Sequence, residues 1–197
     1  NKMMPKTFMA TAVDLGAYEG GCGRDSYPNL CIHPGYKSAV GARLALGARN
    51  VALGESEAYY SGPLIDSASA AMYDDDGDDT EDEGIGIVVQ FRSAGLRGIQ
   101  VRNVTGFELG VMGSASTASE GSTQANSTLV WTVASVVNST STSVTLSPCP
   151  KPGCSAVVAV RYLWAQNPCT HPHGAIGNCS VYAAFEGLPA TPFMHYL

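Results

Sequence analysis

The chain is short of positive charge: lysine and arginine together number 11 against 17 acidic residues, for a formal net charge of -6 over 197 residues. Nothing in that balance attracts nucleic acid or an anionic membrane surface. No apolar run reaches the roughly 18 residues needed to span a bilayer as a helix. Cys-x-x-Cys spacing is also missing, which removes the usual signature of a zinc site. No secretory leader is visible, and the opening Asn1-Lys2-Met3-Met4-Pro5 reads as the middle of a longer protein with a segment upstream. Eight of the 17 acidic residues lie between Asp74 and Glu83, so the remainder is nearly neutral.

What is present is apolar and small. Hydrophobic residues make up 45% of the chain, enough to bury a core, with Ala, Gly, Ser, Thr and Val abundant. Six cysteines fall into three local pairs: Cys22 with Cys31, Cys149 with Cys154, and Cys169 with Cys179. Sequence does not choose among the possible pairings, but local spacing in Gly- and Pro-rich loops favours nearest neighbours. Four Asn-x-Ser/Thr sequons, at Asn103, Asn126, Asn138 and Asn178, point the same way. Together these features predict an oxidising compartment, secreted, lysosomal or extracellular.

Residues 6–15 read as a strand ending near Asp14, followed by a glycine-rich loop, then Cys31-Ile32-His33-Pro34, then a helix over about Gly35 to Arg49. Tyr36, Val40, Leu44 and Ala48 recur every four residues and predict its buried stripe. Strand, loop and helix in that order indicate an α/β unit, with chemistry expected on the loop after the strand. Beyond Val51 the signal weakens until an acidic stretch between Met72 and Gly86. Gly77 as position 6 of a calcium loop would put Asp74, Asp76 and Glu83 in place, but position 1 falls on Met72, so a solvated loop is the better account. After it, Ile85–Arg92, Gly98–Val104, Phe107–Val111, Leu129–Val137, Ser143–Leu146 and Ala156–Trp164 are short β-branched runs separated by turn residues. They predict an antiparallel sandwich or jelly roll. The expected organisation is 1–54, the end of an α/β domain; 55–84, a connector; and 85–197, a β-sandwich domain.

Several motifs occur in order from residue 4 to residue 193. They are Met4-Pro5-Lys6-Thr7-Phe8-Met9-Ala10, Val13-Asp14-Leu15, Ile32-His33-Pro34, Ala42-Arg43-Leu44-Ala45-Leu46-Gly47-Ala48-Arg49, and Ser61-Gly62-Pro63-Leu64. Gly95-Leu96, Gly106-Phe107-Glu108, Val160-Arg161-Tyr162-Leu163-Trp164 with Asn167-Pro168, and Gly187-Leu188-Pro189-Ala190-Thr191-Pro192-Phe193 complete the set. In these motifs the chain resembles the sialate O-acetylesterase family. The resemblance implies an SGNH-type hydrolase, flavodoxin-like, with its serine early and its histidine after the last strand, followed by a β-domain. On that pattern the nucleophilic serine lies on an N-terminal segment or partner chain outside these residues, since some members are cut into two subunits. The substrate implied is an acetylated glycan.

Hydrolysis of a sugar acetate is acyl transfer, in which a neutral imidazole deprotonates the serine hydroxyl and later protonates the leaving oxygen. His33 is the one histidine on a matched motif and is the expected base. A carboxylate commonly orients such a ring. Many relatives read Asp-Ile-His-Pro, whereas this chain has Cys31 in the acidic position. Asp14 is the best local replacement, with Glu19 and Asp25 as alternatives. Gly23-Arg24-Asp25-Ser26 imitates a Gly-Asp-Ser nucleophile, but Arg24 interrupts it and no apolar strand leads in. His171 and His173 lie without a third metal ligand, so they read as loop residues. Trp164 and Tyr162 suggest core packing, and Arg161 an ion-pair partner. No cofactor is expected. The competing account is a non-catalytic carbohydrate-binding or structural glycoprotein module derived from the same family.

Overall fold

A computed structural model describes residues 4–16, 36–73, 84–92, 97–113, 128–147, 157–165, 168–169 and 178–197. Its strands pair throughout in antiparallel fashion. The first sheet has the order β1 (Leu64–Tyr73), β2 (Gly84–Arg92), β7 (Ser143–Leu146), β6 (Val136–Ser139). The second runs β10 (Phe193–Tyr196), β8 (Val157–Tyr162), β4 (Phe107–Gly113), β5 (Thr128–Ala134). A two-stranded ribbon joins β3 (Ile99–Val101) to β9 (Val181–Ala183). The single described helix, α1 (Lys37–Val51), precedes all of them.

The β-sandwich follows from alternation. On β2, Ile87, Val89 and Phe91 point into the core, while Gln90 and Arg92 face water. On β4, Phe107 and Leu109 do the same, and on β8 Val160 and Tyr162. Register aligns Phe107 with Tyr162 and Tyr162 with Phe193, so three rings stack across the second sheet, 4.5 and 5.6 Å apart. Phe91 then meets Phe193 edge-on at 6.2 Å, linking the two sheets through aromatic packing. Burial of Tyr162 pushes its hydroxyl well above the usual tyrosine range, and that hydroxyl accepts the Val181 N–H at 2.9 Å.

Three expectations are corrected. The described residues contain no parallel pair and no strand over 6–15, so the α/β part expected there is not seen among them. Residues 4–15 belong to none of the sheets, and Gly16 makes a single β-bridge. They run irregularly into a turn closed by Leu15 N–H donating to the Ala12 carbonyl at 3.0 Å. Helix α1 forms where expected, but its buried face is Arg43 and Gly47, whereas Tyr36, Leu44 and Ala48 are exposed. The helix sits against Phe8, whose ring occupies the space a Cβ on Gly47 would need. Finally, residues 64–73 form a full strand, although Ala- and Ser-rich sequence has weak β preference; nine cross-strand partners on β2 supply what propensity does not.

Motifs far apart in sequence meet in this fold. Gly62 passes so close to the Pro189 carbonyl that a Cβ there would overlap backbone, and the Thr191 N–H donates to the Pro63 carbonyl at 3.3 Å. Gly62→Ala is therefore expected to lower stability by about 1–3 kcal/mol through overpacking against a rigid neighbour. Gly41→Ala, on an open helix surface, is expected to raise it by about 0.5–1 kcal/mol. Thermal midpoints moving in opposite directions check both; equal shifts would show that Gly62 is not tightly packed.

Candidate active site

Asp14, expected at the end of a strand, lies instead in the turn that leaves the N-terminal segment, with no solvent exposure. A carboxylate buried that deeply is costly unless paired and hydrogen-bonded. Arg43 from the second turn of α1 meets it in a two-pronged arrangement, Nη1 to Oδ1 at 2.6 Å and Nη2 to Oδ2 at 2.8 Å. The planar guanidinium suits this geometry as a lysine would not. Nη1 also donates to the Thr11 carbonyl at 2.7 Å. The Tyr182 hydroxyl donates to Asp14 Oδ2 at 3.3 Å and accepts the Cys179 N–H at 3.2 Å. The Arg102 guanidinium lies 3.7 Å over the Tyr182 ring. Cys179 is disulfide-bonded to Cys169, as the local spacing suggested, with Cα atoms 4.5 Å apart.

One polar node thus joins three parts of the chain: the segment before residue 17, the helix beginning at Lys37, and β9. His33, Glu19, Asp25, Cys22 and Cys31 fall between the first two and lie outside the described residues, as do Cys149, Cys154, Asn126, His171, His173 and the acidic stretch 74–83. Asp14 and Arg43 hold the chain on either side of the segment that contains His33. Sequence reading reached Asp14 but not its partners. The available signal was Arg43 itself, a charge within the otherwise small and apolar turns from Ala39 to Ala48.

The remaining singled-out residues are placed as follows. Arg161 pairs with Glu108 through two bonds, Nε to Oε2 at 2.8 Å and Nη2 to Oε1 at 2.7 Å, and its guanidinium lies 4.1 Å over the Trp131 ring. It is an ion-pair partner across neighbouring strands. Tyr162 is core, whereas Trp164 is about half exposed. His195 sits on β10 opposite Val160. Asn103 ties its amide to the Asn178 carbonyl and its Oδ1 to Ser180 and Thr105, while Asn138 is exposed. Among the described residues no group of three or more His, Cys, Asp or Glu could hold a metal ion, and no helix is long and apolar enough to cross a membrane.

Burial, with the Asp14 charge next in weight, raises the Tyr182 hydroxyl to about 12 from the usual value near 10. Its proton is held more tightly in the folded state. The stabilisation tied to that proton is complete below pH about 10 and is lost as pH climbs to about 12. Tyr182→Phe is expected to flatten the fall of stability in that window, leaving the share due to Tyr162. An unchanged slope in alkaline denaturation would contradict the assignment.

Comparison with known proteins supplies the family. The model of the sialate O-acetylesterase C-terminal domain matches residues 79–197. Human sialate O-acetylesterase is 30% identical over 197 residues, covering 100% of this chain and 30% of that protein. The Pongo abelii protein matches with the same identity and coverage, and the mouse protein is 33% identical over 98% of this chain. The chain spans about 30% of the length of these relatives. With a β-sandwich coinciding with that matched domain, and the remaining residues aligned to the same relatives, this chain belongs to the sialate O-acetylesterase family, of which it represents a C-terminal part.

Proposed function

We propose that the whole protein is a carbohydrate O-acetylesterase that hydrolyses acetyl esters on sugar hydroxyls, sialate foremost, with His33 of this chain as general base. The observation that supports this best is the match of the full chain to proteins named sialate O-acetylesterase. The nucleophilic serine comes from an N-terminal segment or a partner chain. In the first step His33 takes the serine proton as the hydroxyl oxygen attacks the acetyl carbonyl. The tetrahedral oxyanion collapses, the sugar oxygen leaves with the proton returned by His33, and an acetyl-serine remains. Water, deprotonated by the same imidazole, then releases acetate and restores the serine. Backbone or side-chain donors at the oxyanion typically contribute about 3–4 kcal/mol each to such a reaction.

Asp14 has a positioning role in this scheme. Its oxygens already accept three hydrogen bonds, from Arg43 and Tyr182. The carboxylate therefore serves the imidazole by fixing the chain before and after residues 17–35, through Arg43. His33→Ala in the complete protein is expected to lower acetyl release from O-acetylated N-acetylneuraminic acid by roughly 10³-fold or more, with folding intact. Arg43→Lys is expected to lower kcat with KM little changed. Retained turnover in His33→Ala sinks the esterase assignment and favours a non-catalytic carbohydrate-binding module. A serine-reactive phosphonate that labels no polypeptide in the preparation does the same.

We also propose maturation in the secretory pathway, which the Cys169–Cys179 bond and the sequons at Asn103, Asn126, Asn138 and Asn178 support. Asn138, exposed on β6, is the most accessible of the described acceptors. Peptide N-glycosidase treatment of protein recovered from culture medium should lower its mass; unchanged mass argues against this compartment.

A further inference from the structure

Two of the sequons, far apart in sequence, form one structural object. Asn103-Val104-Thr105 lies between β3 and β4, and Asn178-Cys179-Ser180 runs directly into β9. Val101 of β3 pairs with Val181 of β9, and the Arg102 N–H donates to the Ser180 carbonyl at 2.7 Å. The two tripeptides therefore meet at one end of the ribbon, where the Asn103 amide bridges them. Its Nδ2 donates to the Asn178 carbonyl. Its Oδ1 accepts from the Thr105 N–H at 2.9 Å, the Thr105 hydroxyl at 2.9 Å and the Ser180 hydroxyl at 2.8 Å. Ser180 is only 1% exposed.

Asn138-Ser139-Thr140 is held differently. Asn138 is exposed, its Oδ1 accepts the neighbouring Ser139 N–H at 2.7 Å, and the Thr140 and Ser143 hydroxyls are 2.7 Å apart within one turn. Those bonds span one and three residues, whereas the bonds from Asn103 to Asn178 and Ser180 span 75 and 77. Contacts across such distances form late in folding, so Asn103 passes through an interval in which its clasp is still open. Glycan transfer joins an asparagine Nδ2 to C1 of an oligosaccharide while the bond from C1 to a lipid diphosphate breaks. The diphosphate leaves, and the amide nitrogen loses one proton. That nitrogen and the hydroxyl two residues on must both be accessible, and the product is bulky and hydrated. In the closed junction the nitrogen faces Asn178, and the Thr105 and Ser180 hydroxyls face the Asn103 oxygen. Turning Asn103 outward to carry a glycan releases all of these bonds and takes the Asn103 acceptor away from the buried Ser180.

We propose that glycan transfer to Asn103 and closure of the β3–β9 junction exclude each other, so that Asn103 is a bare structural clasp in the folded protein and a glycan there marks a chain that has not closed. The inference rests on the secretory maturation proposed above and gives its sequons different fates. Cys169–Cys179 ties down the residue next to Asn178 and so favours the closed junction. While that bond is unformed, Asn103 stays an acceptor for longer.

The test is expression of the complete protein in a secreting eukaryotic cell, with each sequon's occupancy read by peptide mass spectrometry after glycosidase treatment in isotope-labelled water. In exported protein Asn138 is expected to be occupied and Asn103 bare. Occupancy at Asn103 is expected to be about tenfold or more higher in chains retained inside the cell, since losing a buried bond shifts the closed–open balance by that order. Cys169→Ser, scored in retained material so that export is not required, should raise it further. Asn103→Asp, which deprives the Asn178 carbonyl of its donor, should lower the thermal midpoint by about 2–4 °C or more. A glycan on Asn103 in most exported chains overturns the proposal, as does equal occupancy in exported and retained protein or an unchanged midpoint in Asn103→Asp. Sequons bare throughout, Asn138 included, sink the compartment reading and this inference with it. Asn138 occupied, with Asn103 behaving otherwise than stated, sinks this inference alone.

Discussion

The pairing of Asp14 with Arg43 is the constraint on which the arrangement of this chain depends. Both groups are out of water, and neither could stay there alone. Their mutual attraction in a low-dielectric setting offsets the cost of desolvation only because the bonds are well directed: two parallel bonds to Arg43, a third from Tyr182, and the Thr11 carbonyl taking another guanidinium proton. That demand for geometry locks the N-terminal segment, α1 and β9 together. An apolar contact of similar size would hold them with far less directional precision.

From this node the order spreads through Tyr182 to the Cys169–Cys179 bond and through β9 to Tyr162, whose hydroxyl receives the Val181 N–H. Tyr162 in turn belongs to the ring stack of Phe107 and Phe193 that joins the second sheet to Phe91 of the first. The family motifs of the β-domain are therefore largely one structural object. Gly-Phe-Glu and Val-Arg-Tyr meet as a ring pair and an ion pair on adjacent strands, and Gly-Pro-Leu lies against Leu-Pro-Ala with no room for a side chain between them.

Such motifs define the scaffold, and the Asp14–Arg43 pair anchors the two flanks of residues 17–35. The helix shows how function and packing share residues. Its inward face holds a charge and a glycine, because those suit Asp14 and Phe8. Leu44 and Tyr36 are left exposed in this chain.

Short β-branched runs bounded by turn residues identified β2, β3, β4, β5, β7 and β8, and apolar residues four apart identified the helix position, since those signals are local and strong. The same signal was absent for β1, a run of alanine and serine that becomes a strand only because β2 lies beside it, and for the short β9 and β10, whose pairing is long-range. The buried face of α1 was misread for a related reason: a spacing of four apolar residues marks a stripe, but which stripe is covered depends on what approaches. By itself the sequence determined the antiparallel β architecture after residue 84 and the family, and it favoured the nearest-neighbour cysteine pairing that the structure shows at 169 and 179. Only the tertiary structure decided that Asp14 belongs to Arg43 and Tyr182, 29 and 168 residues away, because the energy of a buried charge is set by neighbours that no local pattern can name.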